Sequence, residues 1–233
     1  MTLSDLLDRR DGRDRVESGR VGSRWDTGRT EAFSDGVFAI AITLLVLDIN
    51  VPESGFENLP RAILHEWPAY IGYVTSFLTI GGIWLAHHGI FRRLRYADSR
   101  VMRINLLLLM AVSFVPYPTR LAAEAIRSAD AERAAIVFYG TSLLICSALL
   151  GGLWGVVARD RGLLQPEVTD AEVNDLLLRT TPNIGLYVAA TALGLLLPRV
   201  AAAGYLAIAV LSILRARGDT GEPLGEAPAR SPS

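Results

Sequence analysis

Lysine is absent from this sequence of 233 residues, and cysteine occurs once, as Cys146. A single cysteine excludes an intrachain disulfide and a cysteine metal cluster, and its place in an apolar segment favours a buried, unreactive thiol. Charged residues make up only 20% of the chain and are nearly balanced in sign. The composition therefore offers no basic surface for nucleic acid and no acidic tail.

Signal-peptide features and internal repeats are also missing. The first 30 residues contain no apolar core and no small-residue cleavage site, so the first apolar segment is expected to remain as an anchor. No period of the solenoid kind occurs. The segments 1–28 and 218–233 are poor in apolar residues and are predicted to be disordered cytoplasmic tails. No soluble catalytic domain remains between them, and we predict that the chain is not an enzyme.

Apolar residues, in contrast, make up 51% of the chain and gather in six runs separated by short polar stretches. Runs of about 17 to 25 residues with few charges are typical of membrane-spanning helices. We predict an all-α integral membrane protein with six transmembrane helices within residues 29–217. The last two runs are parted only by Pro198 and Arg199 and could instead form one broken hairpin. The runs lie near residues 36–50, 69–91, 104–119, 134–158, 184–197 and 200–214.

The 23 arginines are distributed unevenly among the polar stretches. The stretches before the first run, between the second and third, between the fourth and fifth, and after the sixth together carry 18 of them, and the other side carries five. Since cytoplasmic loops are enriched in positive charge, both termini are predicted to lie in the cytoplasm. The expected location is the cell membrane, which the chain crosses several times.

The first apolar run carries one continuous stripe. At 100° per residue, the side chains of Ile40, Leu44 and Leu47 fall within about 60° of one another, with Thr43 at the border of the stripe. Most such stripes face lipid or pack inside a bundle. If this helix has a functional face, the aliphatic stripe with its one hydroxyl is the candidate.

A polar cluster precedes this stripe, because Arg29, Phe33, Ser34 and Asp35 lie within seven residues. Ser34 and Asp35 point roughly 130° away from the centre of the stripe, on either side of it. Either residue could cap the helix N-terminus, and Arg29 could be an ordinary positive flank. Capping alone does not explain why the cluster includes a phenylalanine. It also does not explain the polar residues at the end of the second run.

The second run ends with Trp84, His87 and His88. Trp84 shares a helix face with each histidine, being three and four residues away from them. Consecutive histidines lie about 100° apart and are poorly placed to bind one metal ion, for which i, i+4 spacing is typical. We therefore predict no metal site.

Asn105 begins the third run at the same depth as the two histidines. Polar side chains in membrane segments usually find partners on neighbouring helices. We therefore expect a hydrogen bond from Ser34 or Asp35 to His87 or His88, with Asn105 completing the set.

The predicted spans contain three motifs, namely Arg29-x-x-x-Phe33-Ser34-Asp35 followed by GVFAIAITLLVLDI, Trp84-x-x-His87-His88-x-x-Phe91, and Asn105 followed by LLLLMAVSFVPYPTR. Together they closely resemble the signature of the transmembrane protein 175 family of potassium channels. The resemblance covers all the predicted spans, and the first motif is highly specific. The family's animal members carry two six-span repeats, whereas this chain resembles the prokaryotic members in having one.

The resemblance implies a homotetramer in membrane lipid, whose four first helices line a central pore for potassium ions. The family lacks the TVGYG carbonyl filter of other potassium channels, and so does this sequence. Ile40 is implied to form an apolar constriction that Leu44 and Leu47 continue, and Thr43 to provide a ring of hydroxyls that favours potassium. No cofactor is implied.

The resemblance also implies that the motif of Arg29, Phe33, Ser34 and Asp35 is structural and joins the first helix to its neighbours rather than coordinating the ion. Its implied partners are the polar residues of the other two motifs, Trp84, His87, His88 and Asn105.

Two other functional classes remain open. A proton-coupled or other secondary transporter would need ionisable groups near the bilayer midplane and discontinuous helices, for which Pro116-Tyr117-Pro118 is the only hint. A membrane enzyme would need a nucleophile or cofactor cluster, and the His87–His88 pair is the only candidate. Asp48, near the outer end of the first run, could draw cations to a pore mouth or simply end a helix.

Overall fold

The computed structural model describes residues 25–51 and 53–217. In this part of the chain the structure is all-helical, with eight α-helices and three short 3₁₀ turns. The predicted tail 218–233 and most of the predicted tail 1–28 lie outside the described residues. The helices are α1 (Thr27–Leu44), α2 (Leu59–His65), α3 (Trp67–Phe91), α4 (Ser99–Phe114), α5 (Pro116–Ala125), α6 (Ala129–Arg159), α7 (Asp170–Gly194) and α8 (Pro198–Arg217).

Five segments of the described chain are long and apolar enough to cross a membrane. They are α1 with its following turn (Thr27–Asp48), α3 (Trp67–Phe91), α4 with α5 (Ser99–Ala125), most of α6 (Ala131–Arg159) and most of α8 (Pro198–Arg215). The remaining predicted run, the fifth, begins in the last part of α7, where the described residues Asn183–Gly194 form an apolar helix. By length and composition, five segments of the described residues could therefore cross a membrane.

The proline pair of the third span interrupts it only locally. The first helix of the span, α4, ends at Phe114, and α5 begins at Pro116. Val115 between them keeps helical dihedral angles, with φ −53° and ψ −37°. Proline has no backbone N–H, so the helical hydrogen-bond pattern is interrupted here, although the chain keeps helical dihedral angles. No extended or unwound segment separates α4 from α5.

The centre of the bundle is α6, which packs against α3, α4, α5, α7 and α8. Its inward face is closely packed, and Leu143, Cys146, Leu153 and Trp154 are fully buried. The prediction that Cys146 is buried is therefore confirmed. Long helices that are apolar on nearly every side become the core of a membrane bundle, and α6 has this character.

Buried hydroxyl groups join α3, α5 and α6. The Oγ atom of Ser76 lies 2.7 Å from Oγ1 of Thr119 and 2.9 Å from the phenolic oxygen of Tyr139. Next to Tyr139, the ring of Tyr205 packs edge-on, and its hydroxyl lies against Gly140, where an added Cβ would collide with it. The apolar surfaces of these helices pack against one another no more favourably than against lipid. The polar contacts therefore fix how the helices are aligned.

Two arginine-bearing loops of the described chain, 92–98 and 160–165, meet at one end of the bundle, which we call the arginine-rich end. The backbone N–H of Arg95 donates to the carbonyl of Leu163 at 2.8 Å, which joins loop 92–98 to loop 160–165. The guanidinium of Arg100 donates to a carboxylate oxygen of Asp160 at 2.8 Å. Arginines that follow the second and the fourth apolar runs thus lie at the same end of the described structure.

Asp98 lies at the arginine-rich end, outside the membrane-spanning segments, and caps α4. Its carboxylate accepts hydrogen bonds from the backbone N–H groups of Arg100 and Val101, at 3.0 and 2.9 Å, and from the Arg100 guanidinium at 2.8 Å. Burial acts to raise the pKa of Asp98, but these hydrogen bonds and the positive charge outweigh burial and hold the pKa below its ordinary value.

At the opposite end, some of the arginines are paired with glutamates. Arg127 contacts the carboxylate of Glu66 at 3.3 Å, and Arg199 donates to the buried carboxylate of Glu132 at 3.0 Å. The second of these pairs joins the start of α8 to the start of α6. The charge of these two arginines is therefore locally neutralised.

The last two apolar runs form a helical hairpin. The first of its helices, α7, begins with a capping box, in which the Thr169 hydroxyl accepts from the Glu172 backbone N–H and the Glu172 carboxylate accepts from that of Thr169. It ends at Gly194, and after a three-residue turn α8 begins at Pro198 and packs against α7. Proline fits this position because the first N–H of a helix has no partner in any case.

The first helix as candidate functional site

The first helix, α1, begins at a defined cap and has two distinct faces. Asp26 precedes it, and the Asp26 carboxylate accepts a hydrogen bond from the backbone N–H of Gly28 at 2.9 Å. One face packs into the bundle, and the other is left uncovered by the described residues. The buried face consists of Thr30, Ser34, Phe38, Ala41 and Leu45, and the exposed face includes Phe33, Ile40, Thr43, Leu44 and Leu47.

The predicted stripe lies on the exposed face. The side chains of Ile40, Leu44 and Leu47 are 61%, 41% and 72% exposed in the single chain. The α-helix ends at Leu44, and Leu45–Asp48 forms a 3₁₀ turn, in which residues i and i+3 eclipse one another. Leu47 therefore stands directly over Leu44, and the stripe stays on one face although the helix tightens.

Thr43 lies on the same exposed face. Its hydroxyl donates a hydrogen bond to the carbonyl of Ile40 at 2.9 Å. Because the hydroxyl proton is used inside the helix, the oxygen lone pairs are free to face outward. The Thr43 oxygen is thus presented as an acceptor, which is the form that can contact a cation.

A directed chain of hydrogen bonds holds the buried face. The amide nitrogen of Asn105 donates to Oγ of Ser34 at 3.0 Å, and Ser34 in turn donates to the carbonyl of Thr30 at 2.9 Å. The amide oxygen of Asn105 therefore faces His87, whose Nε2 lies 2.8 Å away and must be the donor. This chain, which we call the Ser34–Asn105–His87 chain, joins α1, α4 and α3.

Two further contacts pack the same face against α3. The ring of His87 lies between those of Phe38 and Phe91, with centroid distances of 5.3 and 4.4 Å. The indole N–H of Trp84 donates to a carboxylate oxygen of Asp35 at 2.8 Å. Ser34, His87 and Phe38 are essentially buried, so α1 is attached to α3 by both polar and aromatic contacts.

The expected direct hydrogen bond from Ser34 or Asp35 to a histidine is wrong for the described residues. Asn105 lies between Ser34 and His87, and Asp35 binds Trp84 instead. The sequence showed that these groups share one depth, but it could not give the distance between α1 and α3, which leaves room for an intervening amide.

His88 has a partner that the sequence analysis missed. Its Nδ1 lies 2.7 Å from a carboxylate oxygen of Glu31. Glu31 lies one turn before Asp35 on α1, so an i, i+4 pair of carboxylates opposite Trp84 and His88 was the available signal.

Two residues of the motif, Arg29 and Phe33, face outward. Phe33 is 59% exposed, on the same face as Ile40. Arg29 is also exposed, and no hydrogen bond or ion pair joins it to another residue of the described ranges. Within one chain, therefore, only Ser34 and Asp35 of the motif join α1 to its neighbours.

A cavity of about 280 Å³ lies beside the C-terminal end of the stripe, at the end of the bundle opposite the arginine-rich end. Leu47 and Asp48 form one wall, and Glu66, Arg120 and Arg127 are among the other lining residues. The lining mixes both signs of charge. Asp48 is thus placed at the edge of the exposed stripe, in a polar and partly open environment.

Metal ligands do not converge at this site. No group of three or more His, Cys, Asp or Glu side chains that could hold a metal ion is present among residues 25–51 and 53–217. His87 and His88 turn to different partners, Asn105 and Glu31.

Comparison with known proteins identifies the family. The model of the family described as "Endosomal/lysosomal potassium channel TMEM175" matches residues 29–116. A Streptomyces collinus protein named a potassium channel is 44% identical over 144 residues, which are 61% of this chain and 70% of that protein. A second potassium channel, from Chamaesiphon minutus, is 42% identical over 171 residues, 72% of this chain and 84% of that protein. The chain belongs to the TMEM175 family.

A solved TMEM175 structure has the same fold. The crystal structure of a lysosomal potassium-selective channel TMEM175 homolog from Chamaesiphon minutus superposes with a TM-score of 0.74 at 37% identity, covering 82% of this chain and 97% of that one. The TMEM175 family is one of ion channels and not of enzymes. The chain is accordingly a multi-pass membrane protein, and the family match over 29–116 contains α1, α3 and α4, the three helices that the polar contacts join.

Proposed function

We propose that this protein is a potassium-permeable channel, a homotetramer in which four copies of α1 surround the pore. The observation that carries the proposal is the division of α1 into a face fixed by polar contacts and an uncovered face with Ile40, Thr43, Leu44 and Leu47. One chain offers a single such face, so several copies are needed to enclose an axial path. The names of the relatives, which are potassium channels, support potassium as the permeant ion.

The constriction is assigned to Ile40, with Leu44 and Leu47 continuing it. Four isoleucine side chains around an axis make a narrow apolar ring that gates by dewetting. An ion that passes such a ring must shed part of its hydration, and potassium holds its water more weakly than sodium. The ring therefore favours potassium, although less strongly than a set of carbonyl ligands would.

Selectivity is assigned in addition to Thr43, one turn beyond Ile40. Its oxygen, with the proton directed to the Ile40 carbonyl, replaces part of the lost hydration. Asp48 follows near the outer end of the first span and attracts cations toward the mouth.

The membrane arrangement completes the proposal. The channel domain is residues 29–217, the tails 1–28 and 218–233 lie in the cytoplasm, and α7 provides a sixth crossing together with the five long spans. The arginine-rich end then faces the cytoplasm of a cell whose plasma membrane holds the channel. The clustering of the arginine-bearing loops at one end supports this orientation.

The test is potassium flux into liposomes containing the purified protein, with Ile40→Asn compared with Ile42→Asn. The first change places an amide in the proposed constriction, so the ring should wet, and basal flux should rise by about tenfold, the effect of lowering the barrier by about 1.4 kcal/mol. Ile42 packs partly against the core on the same helix, so the same change there should impair folding without a leak.

A leak from Ile42→Asn alone, or equal behaviour of the two variants, would contradict the assignment of the pore face. A monodisperse monomer that conducts would contradict the tetramer. Discrete single-channel steps in a planar bilayer distinguish the channel from a transporter, which would show a slow, saturable flux.

A further inference from the structure

A groove lies between α3 and α8 at the end of the bundle opposite the arginine-rich end, and we call it the α3–α8 groove. Further along, the two helices are in close contact, because a Cβ added at Gly82 would lie 3.5 Å from the Cβ of Ser212. The groove is lined mainly by apolar residues of four helical segments, among them Trp67 and Ile71 of α3, Ile126 after α5, Ile136 of α6 and Ala202 of α8.

The groove is separate from the cavity beside Asp48. The helices α3 and α5 close on each other at Gly72, where an added Cβ would lie 3.4 Å from Cγ2 of Thr119 and 3.8 Å from Cβ of Ala123. Thr119 and Ala123 line both spaces, so the contact of α3 with α5 is a wall between them. The groove therefore lies on the other side of this wall from Leu47 and Asp48.

The α3–α8 groove lies at membrane depth. Trp67 is the first residue of the α3 span, and the last lining residue of α3, Thr75, follows eight residues later, about 12 Å along a helix. Tryptophan is typical of the boundary between head groups and hydrocarbon. The groove thus begins near this boundary and extends into the hydrocarbon of one leaflet.

The shape and polarity of the groove fit a hydrocarbon chain. Trp67 and Ile71 are exposed, so the groove is open to its surroundings. It encloses about 50 Å³, which accommodates a stretch of acyl chain but not another helix, whose diameter is about 10–12 Å. An empty apolar groove forfeits the dispersion contacts that such a chain supplies.

Two arginines lie just beyond the groove at its head-group end. Arg133 precedes Ile136 on α6 by about one turn, and Arg199 precedes Ala202 on α8 by the same distance. The side chain of Arg199 is 76% exposed and uses its Nε–H on Glu132, so its terminal N–H groups have no acceptor among the described residues. Arg133 is exposed, and no ion pair joins it to a residue whose side chain the structure describes.

The charges at this end of the groove favour an anion. The two positive charges of Arg133 and Arg199 face one negative charge, that of Glu132. The nearby Arg127 is paired with Glu66 and leaves the balance unchanged. Guanidinium groups bind phosphate oxygens through charge-assisted hydrogen bonds. A phosphate about one helical turn beyond an acyl chain is the arrangement found in a phospholipid.

We propose that the α3–α8 groove binds one anionic phospholipid, with an acyl chain between Trp67 and Ala202 and the phosphate on Arg133 and Arg199. The bound lipid contacts α3, α6 and α8 at once and thereby joins their ends. The inference goes beyond the proposed function and does not depend on it, because lipid binding requires neither a pore nor ion flux.

The test is tryptophan fluorescence in liposomes of phosphatidylcholine with a rising fraction of phosphatidylglycerol whose acyl chains carry bromine, which quenches an indole on contact. The difference between wild type and Trp67→Phe isolates the emission of Trp67 from that of the other tryptophans. We expect saturable quenching of Trp67, reached at an about fivefold lower fraction of brominated phosphatidylglycerol than of brominated phosphatidylcholine, the preference that one unbalanced arginine gives to an anionic lipid.

Two pairs of variants locate the head group and the chain. Arg133→Gln should remove the fivefold preference, whereas Arg61→Gln, also exposed at this end of the bundle, should keep it. Ala202→Phe should fill the groove and leave only quenching proportional to the brominated fraction. Its matched control is Val200→Phe, because the exposed Val200 lies about 200° around α8 from Ala202.

Each contrary result would overturn the proposal. Equal quenching by the two lipids in the wild type, or a preference that survives Arg133→Gln, would refute the phosphate site. This variant changes an exposed side chain, so it decides the matter even where Ala202→Phe does not fold. Saturable quenching that persists in folded Ala202→Phe would place the lipid outside the groove. Trp67 emission that neither lipid quenches would show that protein, such as a second copy of the chain, covers the groove instead.

Discussion

The two faces of α1 contain similar side chains and meet different surroundings. Phe38 is 1% exposed and packs on His87, whereas Phe33, five residues earlier, is 59% exposed. Ala41 is buried, and the neighbouring Ile40 is 61% exposed. Apolar character therefore does not decide which face enters the bundle.

What decides it is the small number of polar groups. Lipid is as apolar as the protein interior, so burying an isoleucine against another helix gains little over leaving it in the bilayer. A buried serine or asparagine without a partner is costly, and this cost is avoided only when Ser34 meets Asn105 and Asp35 meets Trp84. The polar contacts orient the helix, and the apolar stripe is left uncovered in the single chain.

The strongest test exchanges the two phenylalanines for alanine. Phe38→Ala should destabilise the fold by about 3 kcal/mol, near the lower end of the cost of truncating a core phenylalanine, because lipid already provides an apolar solvent. Phe33→Ala should cost little of the single-chain fold. Unfolding in a mixed-detergent titration, followed by helical circular dichroism, gives both values, and equal losses would refute the distinction between the faces.

The next effect comes from the polar chain. Ser34→Ala leaves the amide nitrogen of buried Asn105 without its acceptor and should cost about 1–3 kcal/mol, seen as less folded protein. Asp35→Ala should act similarly, because it releases the Trp84 indole. Channels that survive either change should keep their ion preference.

A double-mutant cycle with Asn105→Leu sharpens this result. If Ser34 and Asn105 stabilise the fold through each other, Ser34→Ala should cost much less in the Asn105→Leu background. Additive costs, or an altered potassium preference in Asp35→Ala, would show that these residues act outside the buried face.

The sequence predicted much of this arrangement, for identifiable reasons. The 3.6-residue period placed Ile40, Leu44 and Leu47 on one face, because helix geometry is local. It also placed Ser34 and Asp35 off that face. The pairing between helices was not local, so the position of Asn105 between Ser34 and His87 could not be predicted from spacing. For the contact of His88 with Glu31, the i, i+4 spacing of Glu31 and Asp35 was the one signal in the sequence.

The arrangement of the last two runs was not determined by local spacing either. The packing of the last two runs against each other could not be predicted from the sequence, and the structure shows α7 and α8 in contact.

A smaller effect is expected from Thr43 on the exposed face. Thr43→Val keeps the shape and β-branching but removes the acceptor oxygen, whose hydrogen bond lies within its own helix. Stability should be nearly unchanged, and the potassium preference should fall, with the bi-ionic reversal potential moving toward zero. An unchanged reversal potential would assign selectivity to another residue.

The smallest effect should come from Asp98, which caps the helix that supplies Asn105. Its pKa is lowered in the folded protein, so its contribution to stability is present above the unfolded-state value of about 4 and is lost as pH falls through the folded-state value. Wild type should therefore be slightly more stable than Asp98→Asn at about pH 6, and the difference should close below about pH 3. A difference that does not change with pH would mean that the cap acts by shape alone.

The length of α6 has a consequence for the membrane itself. Its apolar span of 29 residues, Ala131–Arg159, measures about 44 Å as a helix, whereas the hydrocarbon of a typical bilayer is about 30 Å thick. A helix longer than the hydrocarbon is accommodated by tilting or by local thickening of the bilayer. Since α6 packs against five other helices, a change in bilayer thickness that alters its tilt must also alter their arrangement.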